Sequence, residues 1–295
     1  MFAFKEMKAS AGIALDNQLT EADFFAQNLA IIDEQENFEE NINLSSEASL
    51  LINITDNEVI YADNVYEKLY PASLTKLMTA LVVLRYGELT DPVTISYNAS
   101  HITESGAKLC GFKEGDVISL EALLNALLIY SGNDAGIAIA EHIGGSEEGF
   151  AKMMNEEAKK IGAIHSNFVN AHGLHDQNHY TTAYDLYLIF NQLITYDTFL
   201  SIINTPSYTA TYTNKNGKEI QKTFTTTNRY LNGKTDLIEG LDIIGGKTGT
   251  TFKAGNCLIL LSKDKKAQYI SLILKASDGN RLYTEMSQML SVIQE

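Results

Sequence analysis

Pro71-Ala72-Ser73-Leu74-Thr75-Lys76-Leu77-Met78-Thr79-Ala80-Leu81-Val82-Val83-Leu84 is the stretch on which the fold turns. From Leu74 onward, Leu77, Met78, Ala80, Leu81, Val82, Val83 and Leu84 fall nearly all round a helical projection. A surface helix carries one apolar stripe and one polar face, whereas a helix apolar all round has to be enclosed by other elements. The spacing therefore predicts a helix over Leu74–Leu84 buried on every side. Ser73 and Lys76, three residues apart, lie on one side of it within a single turn.

Outward from this helix the pattern changes twice. Before it, Leu50–Ile54 and Glu58–Tyr61 are β-rich and flank Asp56-Asn57, a hairpin signal. After it come further helices. Leu120–Tyr130 follows Ser119 as N-cap, with Glu121 in the first turn. Ala135–Ile143 ends at Gly144-Gly145, Ser146 caps a helix through Ile161 that Gly162 closes, and Leu186–Ile194 is amphipathic. The last third returns to strands. Tyr208–Tyr212 and Glu219–Thr225 flank Asn216-Gly217, and Ile243–Lys247, Cys257–Leu261 and Tyr269–Leu274 follow. A final helix over about Arg281–Ile293 carries Leu282, Met286, Met289, Leu290 and Ile293 at helical spacing. Strands at both ends with helices between predict an α+β fold. Its antiparallel sheet is formed by N- and C-terminal strands with helices packed on both faces, and a mainly helical subdomain is inserted over about residues 77–194. Residues 48–295 form the domain. Residues 1–47 read as an extension, with Thr20 capping a short helix through Ile32 and an acidic, solvated run of Asp33, Glu34, Glu36, Glu39 and Glu40 after it.

Composition narrows the function classes. The 22 basic side chains against 37 acidic ones give a net charge of −15 over 295 residues, without the basic stripe that phosphate contacts require, so a nucleic-acid partner is excluded. No apolar run approaches the ~20 residues of a membrane-spanning helix. Cys110 and Cys257 are too few for a disulfide scaffold or a four-thiolate metal site, although one bridge between them is open. The N-terminus carries no export signal: Glu6 interrupts Met1–Lys8, and Ala9–Leu15 is weakly apolar and ended by Asp16.

Three short motifs carry chemistry. In Ser73-Leu74-Thr75-Lys76 a hydroxyl faces an amine, and a serine becomes a nucleophile only when a neighbouring base takes its proton. Lysine is such a base only with a lowered pKa, which burial and a second cation both bring about. In Ser131-Gly132-Asn133 a hydroxyl and an amide sit at a helix-to-helix junction, able to point into one cleft. Lys247-Thr248-Gly249-Thr250, after Gly245-Gly246, puts an ammonium and hydroxyls on a strand whose glycines admit close approach of a ligand. Singly, these are also an N-cap serine, a turn and a Gly-rich strand edge. Their conjunction, in this order and these contexts, is specific.

The chain resembles the low-molecular-mass penicillin-binding proteins, specifically the D-alanyl-D-alanine carboxypeptidases, from about Ala48 to Val292. The surroundings resemble them too: Ser131-Gly132-Asn133-Asp134-Ala135, Ala140-Glu141-His142-Ile143, Phe168-Val169-Asn170-Ala171-His172-Gly173-Leu174 and Gly246-Lys247-Thr248-Gly249. The resemblance implies a β-lactamase/transpeptidase-like fold and a serine peptidase that removes the terminal D-alanine from peptidoglycan stem peptides and is blocked by β-lactams. It implies Ser73 as nucleophile, Lys76 as general base and Ser131 as proton relay. Asn133 would hold Lys76 and the substrate backbone. Lys247 would attract the substrate carboxylate and help depress the Lys76 pKa, Thr248 and Thr250 would offer that carboxylate hydroxyls, and Gly249 would belong to the same substrate-binding strand. The backbone N–H groups of Ser73 and Thr250 would form the oxyanion hole. Among the arginines, Arg281 ranks first for the carboxylate and Arg229 second. No cofactor and no metal are implied, His172 falling within an ordinary family segment and His165, His175 and His179 around it. A class A β-lactamase is the nearest rival, but the Phe168–Tyr180 loop has no glutamate to activate a deacylating water. A murein endopeptidase and a β-lactam sensor that does not turn over would carry the same motifs. The family often continues into a β-rich C-terminal domain and an amphipathic membrane-binding helix, beyond Glu295 where this sequence stops. Its substrate lies outside the cytoplasmic membrane, so an extracytoplasmic protein whose export signal has been removed is expected.

Overall fold

The computed structural model describes Leu29, Ala30, Ile32, Ile42 and the continuous stretch 44–294. Of the helix expected from Thr20 through Ile32 only Leu29, Ala30 and Ile32 are described, and they are not helical; the acidic run from Asp33 to Glu40 lies outside the described residues. Two sheets and the helices between them follow from the periodicities. The larger sheet has five antiparallel strands in the order β2-β1-β9-β8-β7. They are β1 (Ala48–Asn53), β2 (Glu58–Asp63), β7 (Asp242–Thr251), β8 (Gly255–Lys263) and β9 (Gln268–Ala276). The β1–β2 hairpin turns at Asn57, whose φ of 58° suits an asparagine. β1 then pairs with β9, from Ala48 opposite Leu274 to Asn53 opposite Tyr269, so the two ends of the chain complete one sheet.

Period-two alternation decides what each face buries. Leu50, Ile52, Ile259, Leu261, Ile270, Leu272 and Leu274 belong to the core shared with the central helices. Leu51, Leu258, Leu260 and Ile273 pack on the other face against Leu282, Met286, Met289 and Leu290 of the C-terminal helix α8 (Gly279–Ser291). Helices therefore cover both faces, as the strand pattern requires. The central helix α1 (Thr75–Tyr86) has every residue from Thr75 to Val83 buried. Around it pack α4 (Asn133–Gly144), α5 (Glu147–Lys160) and α6 (Ala183–Leu193). Ser146 caps α5 by accepting from Gly149 N at 3.0 Å.

Three features depart from the expectations. Leu120–Tyr130 is not one regular helix: α3 stops at Asn125 and the chain continues as a wider π turn over Ala126–Tyr130. The segment expected as a helical insert also contributes β3 (Pro92–Thr94) and β4 (Val117–Ser119), which form a second sheet with the later hairpin β5 (Ser207–Thr213) and β6 (Glu219–Thr225). It further includes the short α2 (Tyr97–Ser100), and α7 (Asp197–Ile203) precedes β5. Finally, Leu29, Ala30 and Ile32 of the extension are buried in the main core without being helical. Tyrosine hydroxyls make this possible by pairing the backbone that enters with them. Ala30 N donates to Tyr187 Oη (3.1 Å), Tyr184 Oη to Ala30 O (3.1 Å) and Tyr66 Oη to Ile32 O (2.8 Å).

Among the described residues, no single helix is long and apolar enough to cross a membrane. Cys110 and Cys257 are both buried free thiols, and burial pushes Cys257 up to about 12.

Candidate active site

Ser73 sits in a 3₁₀ turn, Ala72–Leu74, that leads into α1. Ala72 before it has φ 48°, a left-handed conformation that a non-glycine residue keeps only where its surroundings enforce it. Thr75 Oγ1 donates to Ala72 O at 2.7 Å. Behind Thr75 stands His179, whose Nδ1 accepts from Val169 N (3.1 Å), so the ring proton is on Nε2, 2.8 Å from Thr75 Oγ1. Burial keeps this imidazole neutral, with its pKa lowered to about 3. Gly173, at φ 83°, closes over the same carbonyl; a Cβ there would stand 1.9 Å from Ala72 O.

Lys76, one turn on, is fully buried. Its Nζ is 3.0 Å from Ser73 Oγ, 2.7 Å from Asn133 Oδ1 and 2.5 Å from the His172 carbonyl oxygen. All three neighbours are uncharged. Burial, opposed by the charge of Asp134 and assisted by that of Lys108, lowers the Lys76 pKa to about 7.

The second motif is aimed by the backbone. The π turn ends at Ser131 in a left-handed conformation (φ 72°), and the chain re-enters a helix at Asn133. That sharp change lets Ser131 Oγ accept from Lys247 Nζ at 2.9 Å while Asn133 Oδ1 meets Lys76. Asp134 anchors the neighbouring loop by accepting from Cys110 N (2.8 Å) and Gly111 N (2.7 Å), and Asn133 N donates to Lys108 O (2.7 Å).

The third motif lies on β7, the edge strand of the larger sheet beside the Ser73 turn. Gly249 permits the approach: a Cβ there would be 3.0 Å from both Pro71 O and Ser73 N. Lys247 is buried and also donates to Thr248 O (2.9 Å). Burial first, then the charges of Lys76 and Lys108, hold its pKa well below the usual lysine value. Thr248 Oγ1 is 2.5 Å from Thr227 Oγ1, and Thr250 Oγ1 donates to Asn256 Oδ1 (3.2 Å). A cleft of about 400 Å³ opens over Ser73, Ser131, Asn133 and Thr248–Thr250.

A sequence profile of the D-alanyl-D-alanine carboxypeptidase family matches residues 34–278. The chain belongs to this family. D-alanyl-D-alanine carboxypeptidase DacF of Bacillus subtilis is 31% identical over 252 residues, covering 83% of this chain and 61% of its own length. DacC of Escherichia coli is 32% identical over 256 residues, covering 84% and 61%. The chain thus spans about three-fifths of the length of these curated relatives. The crystal structure of the Streptomyces K15 DD-transpeptidase superposes with a TM-score of 0.78 at 25% identity, covering 84% of this chain and 97% of the other.

In this member of the D-alanyl-D-alanine carboxypeptidase family, Ser73, Lys76, Ser131, Asn133, Lys247, Thr248, Gly249 and Thr250 converge on one place. Arg281 does not, and its expected place at the carboxylate site is corrected. On α8 it faces Glu285 one turn on, with Nε 2.7 Å from Glu285 Oε1 and 3.1 Å from Ser45 Oγ. Arg229, the second choice, lines the cleft, where Nη1 donates to Asn280 Oδ1 (2.8 Å) and the guanidinium lies 5.0 Å over the Tyr283 ring. Sequence reasoning also passed over Lys108 and Thr227, which lie in loops without a periodic signal, and the His172 carbonyl, since a main-chain acceptor leaves no trace in side-chain identity. Among the described residues, no three His, Cys, Asp or Glu side chains gather as a metal site, and His179 is engaged with Thr75 and Val169 instead.

Proposed function

We propose that this chain is a serine D-Ala-D-Ala carboxypeptidase that removes the terminal D-alanine of peptidoglycan stem peptides through an acyl-enzyme on Ser73. The observation that carries this is the set of partners around Lys76. A neutral amine has two N–H donors and one lone pair. Asn133 Oδ1 and the His172 carbonyl take the two donors, which leaves the lone pair for the Ser73 hydroxyl. Lys76 accepts the Ser73 proton as Oγ bonds to the carbonyl carbon of the scissile bond. The backbone N–H groups of Ser73 and Thr250 receive the oxyanion, where one donor typically contributes ~3–4 kcal/mol. Ser131 gives its hydroxyl proton to the departing D-alanine nitrogen as the C–N bond breaks and takes one back from Lys247, which donates to it. Water then attacks the ester, its proton returning to Lys247 through Ser131 while Lys76 gives its proton back to Ser73 Oγ, and the shortened peptide leaves. Thr248, Thr250 and Arg229 offer two hydroxyls and a guanidinium to the terminal carboxylate, and Gly249 lets the substrate strand lie close to β7.

A β-lactam presents its strained amide to the same hydroxyl. The Phe168–Tyr180 loop has no glutamate to activate a deacylating water, so that ester is long-lived, which favours a penicillin-inhibited peptidase over a β-lactamase. Residues 48–295 form the catalytic unit and residues 1–47 an extension to it. Because peptidoglycan lies outside the cytoplasmic membrane, the protein acts on the extracytoplasmic side. The test is release of free D-alanine from a pentapeptide ending in D-Ala-D-Ala. Release is expected. Penicillin labelling without release would make the chain a sensor instead, and cleavage confined to cross-linked dimers would make it an endopeptidase.

A further inference from the structure

Lys108 has no part in the chemistry just described, yet it lines the same cleft. Its main-chain carbonyl is bonded to Asn133 N, which fixes it on the helical wall beside the amide that holds the substrate backbone. Its ammonium stands 4.2 Å from the centre of the Tyr130 ring and is half-buried. Among the described residues no carboxylate pairs with it, and none of the cleft-lining residues is Asp or Glu. This is unusual surrounding for a chain of net charge −15. A half-buried cation held by an aromatic face alone is poised for an anion, and a cleft lined by one sign of charge concentrates such ligands. The cleft's other half-buried cation, Arg229, sits against α8 at the end assigned to the terminal carboxylate. Lys108 is therefore left for the acyl side of the scissile bond.

We propose that Lys108 is a specificity-determining residue that takes a second substrate carboxylate, carried by the side chain of the stem-peptide residue preceding D-Ala-D-Ala. This rests on the carboxypeptidase reading above and adds the substrate class: acyl donors with an anionic side chain at that position. Lys108 also lies near enough to Lys76 and Lys247 to disfavour their protonation, so the test separates recognition from tuning.

Two peptides ending in D-Ala-D-Ala are compared, one with the preceding lysine acetylated on Nε and one with it succinylated, which adds a carboxylate. Wild type is expected to prefer the succinylated peptide in kcat/KM by about twofold to fivefold at low salt, as for a partly exposed ion pair. Lys108→Met is expected to bring the ratio close to one, and Lys108→Arg to retain it. Equal kcat/KM in wild type, or a ratio unchanged in Lys108→Met while both peptides slow together, would overturn the proposal and leave Lys108 a tuning charge. A second pair of probes keeps the test independent of peptidase activity. The rate of Ser73 acylation by a penicillin with a side-chain carboxylate is compared with that by its neutral counterpart. The same preference, lost in Lys108→Met, is expected even if neither peptide is hydrolysed, whereas its absence overturns the proposal.

Discussion

Acylation of Ser73 is expected to follow the titration of Lys76, a buried lysine lowered to about 7. The perturbation is pH, lowered from 8 to 5. Lys76 is buried among uncharged oxygens and its pKa falls from 10.5 to about 7. An ordinary lysine at pH 7 would be neutral in roughly one molecule in 3,000, whereas one with a pKa near 7 is neutral in about half of them. The fold thus supplies roughly three orders of magnitude in available base. Below the pKa the neutral fraction falls tenfold per pH unit, so the acylation rate at pH 5 should be about 1–2% of its plateau. The plateau begins near pH 8. Lys247 is pushed in the same direction, so the break belongs to the pair rather than to one nitrogen. The assay is a stopped-flow or quenched time course of penicillin acylation across the range in which circular dichroism shows an intact fold. A log rate that still climbs with unit slope at pH 9 would mean that Lys76 stays charged at neutrality, and a rate flat from pH 5 to 9 would remove it as the base.

Three further outcomes are expected. Gly173→Ala combines a left-handed backbone with a Cβ 1.9 Å from the Ala72 carbonyl, so the nucleophile turn has to move; a fall in penicillin acylation of at least tenfold is expected, against a Tm that drops by only a few degrees. Asp134→Asn replaces a carboxylate that accepts from Cys110 N and Gly111 N, and thermal unfolding should show a loss of about 2–3 kcal/mol, since hydrogen bonds to charged groups contribute more than neutral ones. Arg229→Ala is expected to lower kcat/KM for a D-Ala-D-Ala peptide by about tenfold or more, while Arg281→Ala should instead lower stability, because it strips the cation from the buried Glu285. Equal kinetic losses in the two arginine variants would contradict their placement.

Much of this architecture was legible because single residues had one physical option. An all-apolar α1 has to be enclosed, and alternating Leu258, Ile259, Leu260 and Leu261 in β8 have to be covered on both faces. The closeness of Ser73 and Lys76 could be read from local spacing, since three residues within one turn fix their relation. What stayed hidden depends on contacts distant in the chain. β3 and β4 have three residues each, too few for alternation to register. The π turn that aims Ser131 leaves no pattern in Ala126–Tyr130 distinct from an ordinary helix. That Arg281 turns away from the cleft and Arg229 lines it was hidden because distance from a motif does not reveal helical phase: one turn beyond Arg281 is Glu285, and Ser45 comes from the far end of the chain. The burial of Leu29, Ala30 and Ile32 depends on Tyr66, Tyr184 and Tyr187, which local composition could not connect to them.

Intact-mass analysis after brief exposure to penicillin, with peptide mapping of the adduct, bears most directly on whether the three segments form one reacting centre. A single covalent adduct on Ser73 is predicted, absent from Ser73→Ala and formed far more slowly in Lys76→Ala. An adduct on any other side chain, or full-speed labelling of Lys76→Ala, would contradict the account.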